Sequence, residues 1–153
     1  MAKILKLHAL PHDETILRGQ NEEIKFPLSA ETKSLIEDMK LTVRKAPGIG
    51  LAAPQVGKNL MLSIINLAEF GTPPFAIINP RVISKSIKKT EMTEGCLSIP
   101  GLFGRVKRPA KVEVAAFNEN GKRILIKADR LLAKVLQHEI DHLHGTLIRD
   151  KMT

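Results

Sequence analysis

Two histidines near the end of the chain stand at a spacing that suits a metal ion. His138 and His142 are four residues apart, with Glu139 between them. Because four residues make about one helical turn, the two imidazoles project from one face, with Cβ atoms roughly 5–6 Å apart. Glu139 is offset by about 100° around the axis, so its carboxylate lies beside the ion, where it can act on a bound water. The H-E-x-x-H pattern therefore predicts a hydrolytic metal centre.

A purely structural interpretation competes with this one. Histidines on a helix are often buried groups with satisfied hydrogen bonds, or solvated groups at the surface. A pair at helical spacing with an intervening glutamate favours the metal. Leu131 and Val135 lie on the same helical face as His138 and His142. Leu131 is four residues before Val135, and Val135 is three residues before His138. We therefore expect apolar side chains to form a wall of the same pocket.

The third protein ligand is less certain from the residues alone. Open catalytic sites usually have three protein ligands and a water. Thermolysin-type peptidases add a downstream Glu and metzincins a third His, but only residues 143–153 follow His142 here, which leaves no room for either arrangement. Upstream, Cys96 is the single cysteine. A thiolate binds divalent cations strongly, whereas most lone cysteines are inert, buried and small. Judged by itself, Cys96 would favour the inert interpretation.

Length and composition indicate one soluble domain. The chain has 153 residues, of which 43% are hydrophobic, and this length can bury a core without disulfides or a structural metal. A single cysteine allows no internal disulfide, which suits the reducing cytoplasm. No apolar stretch approaches the roughly 18–20 residues that a membrane span needs. We interpret the first residues as mature sequence and not as a signal peptide.

The charge is strongly positive. Lys and Arg number 24 against 16 Asp and Glu, which gives a net charge of +8. Such a surface favours encounter with anionic partners. However, Trp and Tyr are absent and there are only 5 Phe, so the aromatic platforms that nucleic-acid-binding modules use are nearly missing. We expect no DNA binding.

Hydrophobic periodicity predicts two helices. One begins after Ser29, a suitable N-cap, runs to about Lys45 and is ended by Pro47 and Gly48. Residues 48–57 are so rich in Gly and Pro that we expect a loop with unusual turns. The second helix begins near Asp129, another suitable N-cap, and ends before Gly145.

Strands are predicted between the helices. Leu60–Leu67 and Phe75–Ile83 are rich in Ile and Leu. Lys111–Phe117 alternates polar and apolar residues, and Asn120 and Gly121 are typical of a type I′ turn leading into Arg123–Lys127. Two helices with antiparallel strands make an α+β fold.

Three segments together resemble the peptide deformylases, metalloenzymes that remove the formyl group from the initiator methionine of nascent bacterial proteins. The segments are residues 48–55 (GIGLAAPQ), 94–98 (EGCLS) and 137–145 (QHEIDHLHG). Their order and separations also agree with that family. The resemblance implies a deformylase-like fold, with antiparallel strands packed around a C-terminal metal-bearing helix, and one catalytic domain over residues 1–153.

The resemblance also implies a set of catalytic roles. Cys96, His138 and His142 would bind one divalent ion, usually Fe²⁺ in the cell, although thiolate and imidazole ligands also suit Zn²⁺, Ni²⁺ or Co²⁺. Glu139 would take a proton from the bound water and give it to the departing amine.

In the family, further residues meet the charge on the reacting oxygen and bind the peptide. The charge would be met by the Gln55 side-chain amide and the Leu97 backbone N–H. The substrate would pair its backbone with Gly50. Its methionine side chain would lie in an apolar pocket, whose implied walls are Ile49, Leu131 and Val135. Arg108 and Asp141 would support the motif loops by salt bridges or hydrogen bonds.

Two other functions compete with this one. An H-E-x-x-H zinc metallopeptidase that cleaves ordinary peptide bonds would not need Cys96, and a non-catalytic binding module would not need Glu139. For partners, we expect formylmethionyl nascent peptides and a weak electrostatic association with the ribosome, and no membrane. We expect a cytoplasmic monomer, while the sequence leaves a mature organellar form open.

Overall fold

A five-stranded antiparallel sheet separates the two long helices of the protein. The structure is a computed structural model, and it describes residues 1–46 and 48–153. The elements follow one another along the chain in this order: α1 (Glu14–Leu17), α2 (Ala30–Lys45), β1 (Gly50–Ala52), a 3₁₀ turn (Ala53–Val56), β2 (Leu62–Ile65), a second 3₁₀ turn (Ala68–Phe70), β3 (Phe75–Lys85), β4 (Lys89–Gly95), β5 (Phe103–Pro109), β6 (Lys111–Phe117), β7 (Arg123–Asp129), α3 (Arg130–Leu143) and α4 (Ile148–Lys151).

The alternation of side chains along the strands produces two cores. The sheet has the strand order β1-β2-β3-β6-β7, while β4 and β5 form a separate two-stranded sheet. On β2, Leu62 and Ile64 face α2, whereas Ile65 faces α3. Each helix places an apolar stripe on one face of the sheet, which gives three layers. The predicted α+β class and the antiparallel strands around a C-terminal helix are confirmed.

Both predicted helices are present. Ser29 caps α2, since its Oγ accepts a hydrogen bond of 3.1 Å from the backbone N–H of Thr32. Pro47, which we expected to help end this helix, lies outside the described residues. Asp129 precedes α3, but its side chain makes no capping hydrogen bond. Gly145 follows α3 with φ +74°, the left-handed conformation that ends helices.

The predicted loop over residues 48–57 was partly wrong. It contains the short strand β1, which pairs Gly50 with Ile65 of β2, and the 3₁₀ turn Ala53–Val56. Hydrogen bonds to β2 hold this glycine-rich backbone in an extended form that its own composition disfavours. Because β1 pairs with only one neighbour among the described strands, its other side is an edge of the sheet.

The β6–β7 hairpin is present, but the predicted turn type was wrong. Gly121 has φ +76°, whereas Asn120 does not have the positive φ that a type I′ turn requires. Asn118 controls the turn instead, because its side-chain oxygen accepts hydrogen bonds from the N–H groups of Asn120 and Lys122, at 2.9 and 3.0 Å. A longer loop that ends in a left-handed glycine results.

The small sheet of β4 and β5 was not predicted. Its strands pair from Lys89 with Pro109 to Gly95 with Phe103, and Cys96 follows β4 directly. Within the described residues, no helix has the length and apolar character needed to cross a membrane.

Candidate metal centre

Three side chains from two distant segments meet at the buried face of α3. His138 and His142 project from α3, and Cys96 stands at the end of β4. One ligand atom from each of the three lies within 4.8 Å of the others. Cys96 Sγ is 3.2 Å from His142 Nε2, and the two imidazole ring centroids are 4.9 Å apart. The structure therefore brings together the three residues that the resemblance implied as ligands.

The chemistry of this group fits one divalent transition metal. Thiolate sulfur binds such ions at about 2.3 Å and imidazole nitrogen at about 2.0–2.1 Å, so three ligand atoms this close can converge on a single ion. His142 Nδ1 is buried without a hydrogen-bond partner among the described residues. His142 Nε2, beside the sulfur, is the nitrogen placed to bind. Three protein ligands leave further coordination positions for water and substrate, as in catalytic sites.

A buried carboxylate orients His138. Glu94 Oε1 lies 3.0 Å from His138 Nδ1, which leaves Nε2 of that ring to face the cluster. Glu94 also accepts two hydrogen bonds from Arg108, at 2.6 and 2.9 Å. Arg108 in turn donates to Asp141 at 2.8 Å. Burial acts to raise the pKa of Glu94, but the bonds from Arg108 and His138 prevail and lower it to about 2. Glu94 therefore stays charged, and Arg108 and Asp141 support the motif segments as expected.

The two imidazoles have opposite shifts in pKa. Burial acts to lower the pKa of His138, but the Cys96 sulfur and the Glu94 carboxylate outweigh burial and raise it to about 10. Burial and the positive charges of His138 and Arg108 hold the pKa of His142 well below its usual value. His142 is thus neutral at physiological pH, the form in which imidazole binds metals, whereas His138 must release its proton when a metal ion binds.

Glu139 lies beside the cluster in a space that only glycine leaves free. Its Oε2 is 3.9 Å from His138 Nε2, and its Oε1 is buried without a partner among the described residues. Burial, the largest effect, raises the pKa of this carboxyl to about 7. A Cβ placed on Gly50 would approach Glu139 Oε2 to 2.5 Å. The absence of a side chain at Gly50 therefore determines where the Glu139 carboxylate sits.

Gln55 and Leu97 lie next to Cys96. Gln55 is buried in the 3₁₀ turn after β1, and its Nε2 is 3.8 Å from Cys96 Sγ. Leu97 follows Cys96 directly, and its backbone N–H donates to no acceptor within the described residues. Both groups are thus hydrogen-bond donors next to the candidate metal site.

A cavity of about 490 Å³ opens onto this cluster. Most of the residues that form it come from the three motif segments and from α3: Gly48, Ile49, Gly50, Gln55, Gly95, Cys96, Leu97, Pro100, Gly101, Phe103, Lys134, Val135, His138 and Glu139. Leu131, which we expected in the wall, does not line it, because this residue lies one turn before Val135, at the start of α3, and packs against the core between α3 and the sheet. Lys134 and Phe103 were not predicted, because only the tertiary structure brings α3 next to β5.

The comparison with known proteins agrees with this geometry. The sequence profile described as polypeptide deformylase matches residues 4–153. The chain belongs to the polypeptide deformylase family. Peptide deformylase 1 of Nostoc sp. is 43% identical over 150 residues, which are 97% of this chain and 79% of that protein.

Solved deformylase structures share the fold as well. The chain is similar to a peptide deformylase from Synechococcus elongatus, crystallised with actinonin, with a TM-score of 0.89 and 41% identity over 97% of this chain and 79% of that one. For a peptide deformylase from Legionella pneumophila the TM-score is 0.90, with 39% identity over 98% and 86% of the two chains. Deformylases are metal-dependent hydrolases that remove the N-formyl group from nascent peptides, so the predicted family, enzyme class and function are confirmed. No observation favours the zinc metallopeptidase.

Gly50→Ala is expected to slow this deformylase without removing its metal. The added methyl would occupy the space of Glu139 Oε2, Cδ and Cγ, at 2.5 to 2.8 Å, and would displace the carboxylate. A displacement of about 1 Å can cost about 10²-fold in rate. Formate release and metal content, measured on the same samples, test this expectation. Unchanged kcat would show that the position of Glu139 does not limit the reaction.

Proposed function

We propose that residues 1–153 form a single catalytic domain that hydrolyses the formyl amide of N-formylmethionyl peptides. The observation that carries this proposal is the convergence of Cys96, His138 and His142 beside Glu139, next to a cavity that Cys96, His138 and Glu139 line. In the reaction, water adds to the formyl carbon and the C–N bond breaks. Formate and a free amino terminus are the products.

Cys96, His138 and His142 would hold the ion, and Fe²⁺ is our proposal for the native metal. A thiolate with two imidazoles also accepts Zn²⁺, Ni²⁺ or Co²⁺. When bound, a divalent ion polarises the formyl carbonyl and lowers the pKa of a water molecule. Glu94 fixes the ring of His138 for this purpose, through its contact with Nδ1.

Glu139 is the proposed general base and acid. Its Oε1 is buried, lies at the cavity and has no partner among the described residues, so it is free to accept a proton from the attacking water. The same oxygen then gives that proton to the nitrogen of the departing amine. Positioned proton transfer of this kind contributes about 10²–10⁴-fold to a rate.

Gln55 and Leu97 are the proposed donors to the oxygen of the formyl group, where negative charge develops. The Nε2 of Gln55 is 3.8 Å from Cys96 Sγ, Leu97 follows Cys96 directly, and both residues line the cavity. Donors that are already oriented stabilise the transition state more than the substrate. Gln55 acts in this way without exchanging a proton.

The substrate peptide is proposed to lie extended along β1. This strand is at the edge of the five-stranded sheet, and an extended peptide can add to such an edge through its backbone. Gly50 permits the close approach of that second backbone. The methionine side chain would enter the cavity between Ile49 and Val135, which line it.

We further propose that the protein acts as a monomer in the cytoplasm. Its net charge of +8 would attract it weakly to ribosomal RNA, and such attraction decreases as salt concentration rises.

Formate release from formyl-Met-Ala-Ser tests the proposed function. We expect activity under anaerobic conditions with Fe²⁺ or Ni²⁺, loss of activity with a chelator, and recovery when metal is added back. Oxygen is excluded because a thiolate ligand is prone to oxidation. Cleavage of internal peptide bonds without formate release would indicate the peptidase instead, and the absence of both reactions would indicate a binding module.

A further inference from the structure

The side-chain amide of Gln55 is held at both ends. Its Oε1 accepts a hydrogen bond of 2.9 Å from the backbone N–H of Ala52. Its Nε2 donates to Ser98 Oγ at 3.1 Å. A backbone N–H can only donate, so the contact with Ala52 requires an oxygen at that end. The nitrogen of the side-chain amide must therefore be at the other end, where its NH₂ group faces Ser98 and the cavity.

Ser98 has its own hydroxyl proton committed elsewhere. The side chain is fully buried, and its Oγ donates to the backbone carbonyl of His8 at 2.8 Å. A carbonyl oxygen only accepts, and a serine hydroxyl has a single proton. Ser98 must therefore accept from Gln55 and cannot donate to it. The hydrogen bonds run in one direction, from Gln55 through Ser98 to His8.

The backbone around this chain of hydrogen bonds is fixed by the N-terminal arm, residues 1–13. The N–H of His8 donates to the carbonyl of Gln55 at 2.7 Å, and the N–H of Leu10 donates to the carbonyl of Ser98 at 2.9 Å. The arm thus joins two motif segments that lie 43 residues apart. His8 contributes to this arrangement through its backbone N–H and carbonyl.

We propose that Ser98 is a positioning residue for the reaction, acting through Gln55 and anchored by the His8 carbonyl. This inference rests on the proposed function, in which Gln55 donates to the formyl oxygen. Ser98 occupies one of the two N–H groups of Gln55 Nε2. The other N–H makes only a long contact of 3.8 Å with Cys96 Sγ, and it is the one proposed to turn to the substrate from an orientation that is set before the substrate binds.

Loss of the hydroxyl should affect kcat more than KM. In Ser98→Ala, the Gln55 amide keeps its bond to Ala52 and its long contact with Cys96 Sγ, but it loses its one close acceptor at Nε2 and can rotate more freely about its last torsion. The N–H of Gln55 is needed in the transition state, where negative charge develops on the formyl oxygen. Binding of the substrate in its ground state, and therefore KM, should change little. Removal of an outer hydrogen-bonding partner typically costs about 10–100-fold, which is less than the roughly 10²–10³-fold for removal of a whole donor.

A double-mutant cycle separates this role from a merely structural one. We expect Ser98→Ala to lower kcat about 10–100-fold in the wild-type background and to have no further effect in a Gln55→Ala background. Ser98→Thr, which retains the hydroxyl, should recover most of the rate. Ser63→Ala is the matched control, since Ser63 is also fully buried but its hydroxyl has no partner among the described residues. An equal loss from Ser98→Ala in both backgrounds would overturn the proposal.

A second measurement does not depend on activity. In an ¹⁵N NMR spectrum, the side-chain NH₂ of Gln55, assigned by its absence in Gln55→Ala, should be protected from solvent exchange in the wild type. Ser98→Ala should remove this protection and Ser63→Ala should not. An unprotected Gln55 amide in the wild type would overturn the inference even if Ser98→Ala failed to fold. A wild type with no formate release but a protected amide would instead contradict the proposed function.

Discussion

Glu139→Gln is expected to reduce formate release about 10²–10⁴-fold while leaving the metal in place. Glutamine fills the same space, which matters because the Glu139 side chain fits closely against Gly50. Its amide cannot take a proton from water or return one to the amine. The proposed ligands Cys96, His138 and His142 are untouched, so metal content should equal that of the wild type. Substrate binding involves other groups, and KM should therefore change little.

The matched control for this variant is Glu69→Gln. Glu69 is an exposed carboxylate in the second 3₁₀ turn, outside the cavity, and its substitution should leave kcat unchanged. Steady-state kinetics and metal analysis on the same preparations supply the comparison. If Glu139→Gln kept full activity with full metal, the proposed proton transfer through Glu139 would be wrong.

Cys96→Ala is expected to remove both the metal and the activity. Two imidazoles would remain, and the soft ligand that suits Fe²⁺ or Zn²⁺ would be lost. We expect metal affinity to fall by more than the roughly 10–100-fold that follows from losing an outer hydrogen-bonding partner. Cys96→Ser should not restore it, because a neutral hydroxyl is a much weaker ligand than a thiolate. Metal titration with a competing chelator, together with formate release, measures both effects.

This substitution also distinguishes two enzyme classes. In an H-E-x-x-H metallopeptidase the cysteine would be dispensable, so Cys96→Ala would stay active and keep its ion. A loss of activity caused by unfolding of the Cys96→Ala variant has to be distinguished from a loss caused by the missing metal. Thermal unfolding of Cys96→Ala should therefore be compared with that of the wild type stripped of metal by chelator, and the two should unfold at similar temperatures.

Local sequence was sufficient to predict the elements whose conformation is determined by their own residues. The helix from Ala30 to Lys45 has its cap and its apolar stripe within one segment, and the H-E-x-x-H spacing needs only a helix to place two imidazoles on one face. Predictions failed where contacts with another segment or side chain determine the backbone conformation. Residues Gly50–Ala52 become a strand because β2 supplies hydrogen bonds, and the β6–β7 turn follows the side chain of Asn118 and not the Asn-Gly pair.

The sequence by itself determined the family, the reaction type and the metal-binding character of this protein, because residue types and short spacings carry that information. Only the tertiary structure decided which groups hold and orient the residues of the site. His8, Gln55 and Ser98 share one chain of hydrogen bonds, Glu94 orients His138, and Gly50 makes room for Glu139. These contacts join residues that lie between 43 and 90 positions apart along the chain. Hydrogen bonds and steric contacts act over a few ångströms, so their partners are fixed only when the layers pack together.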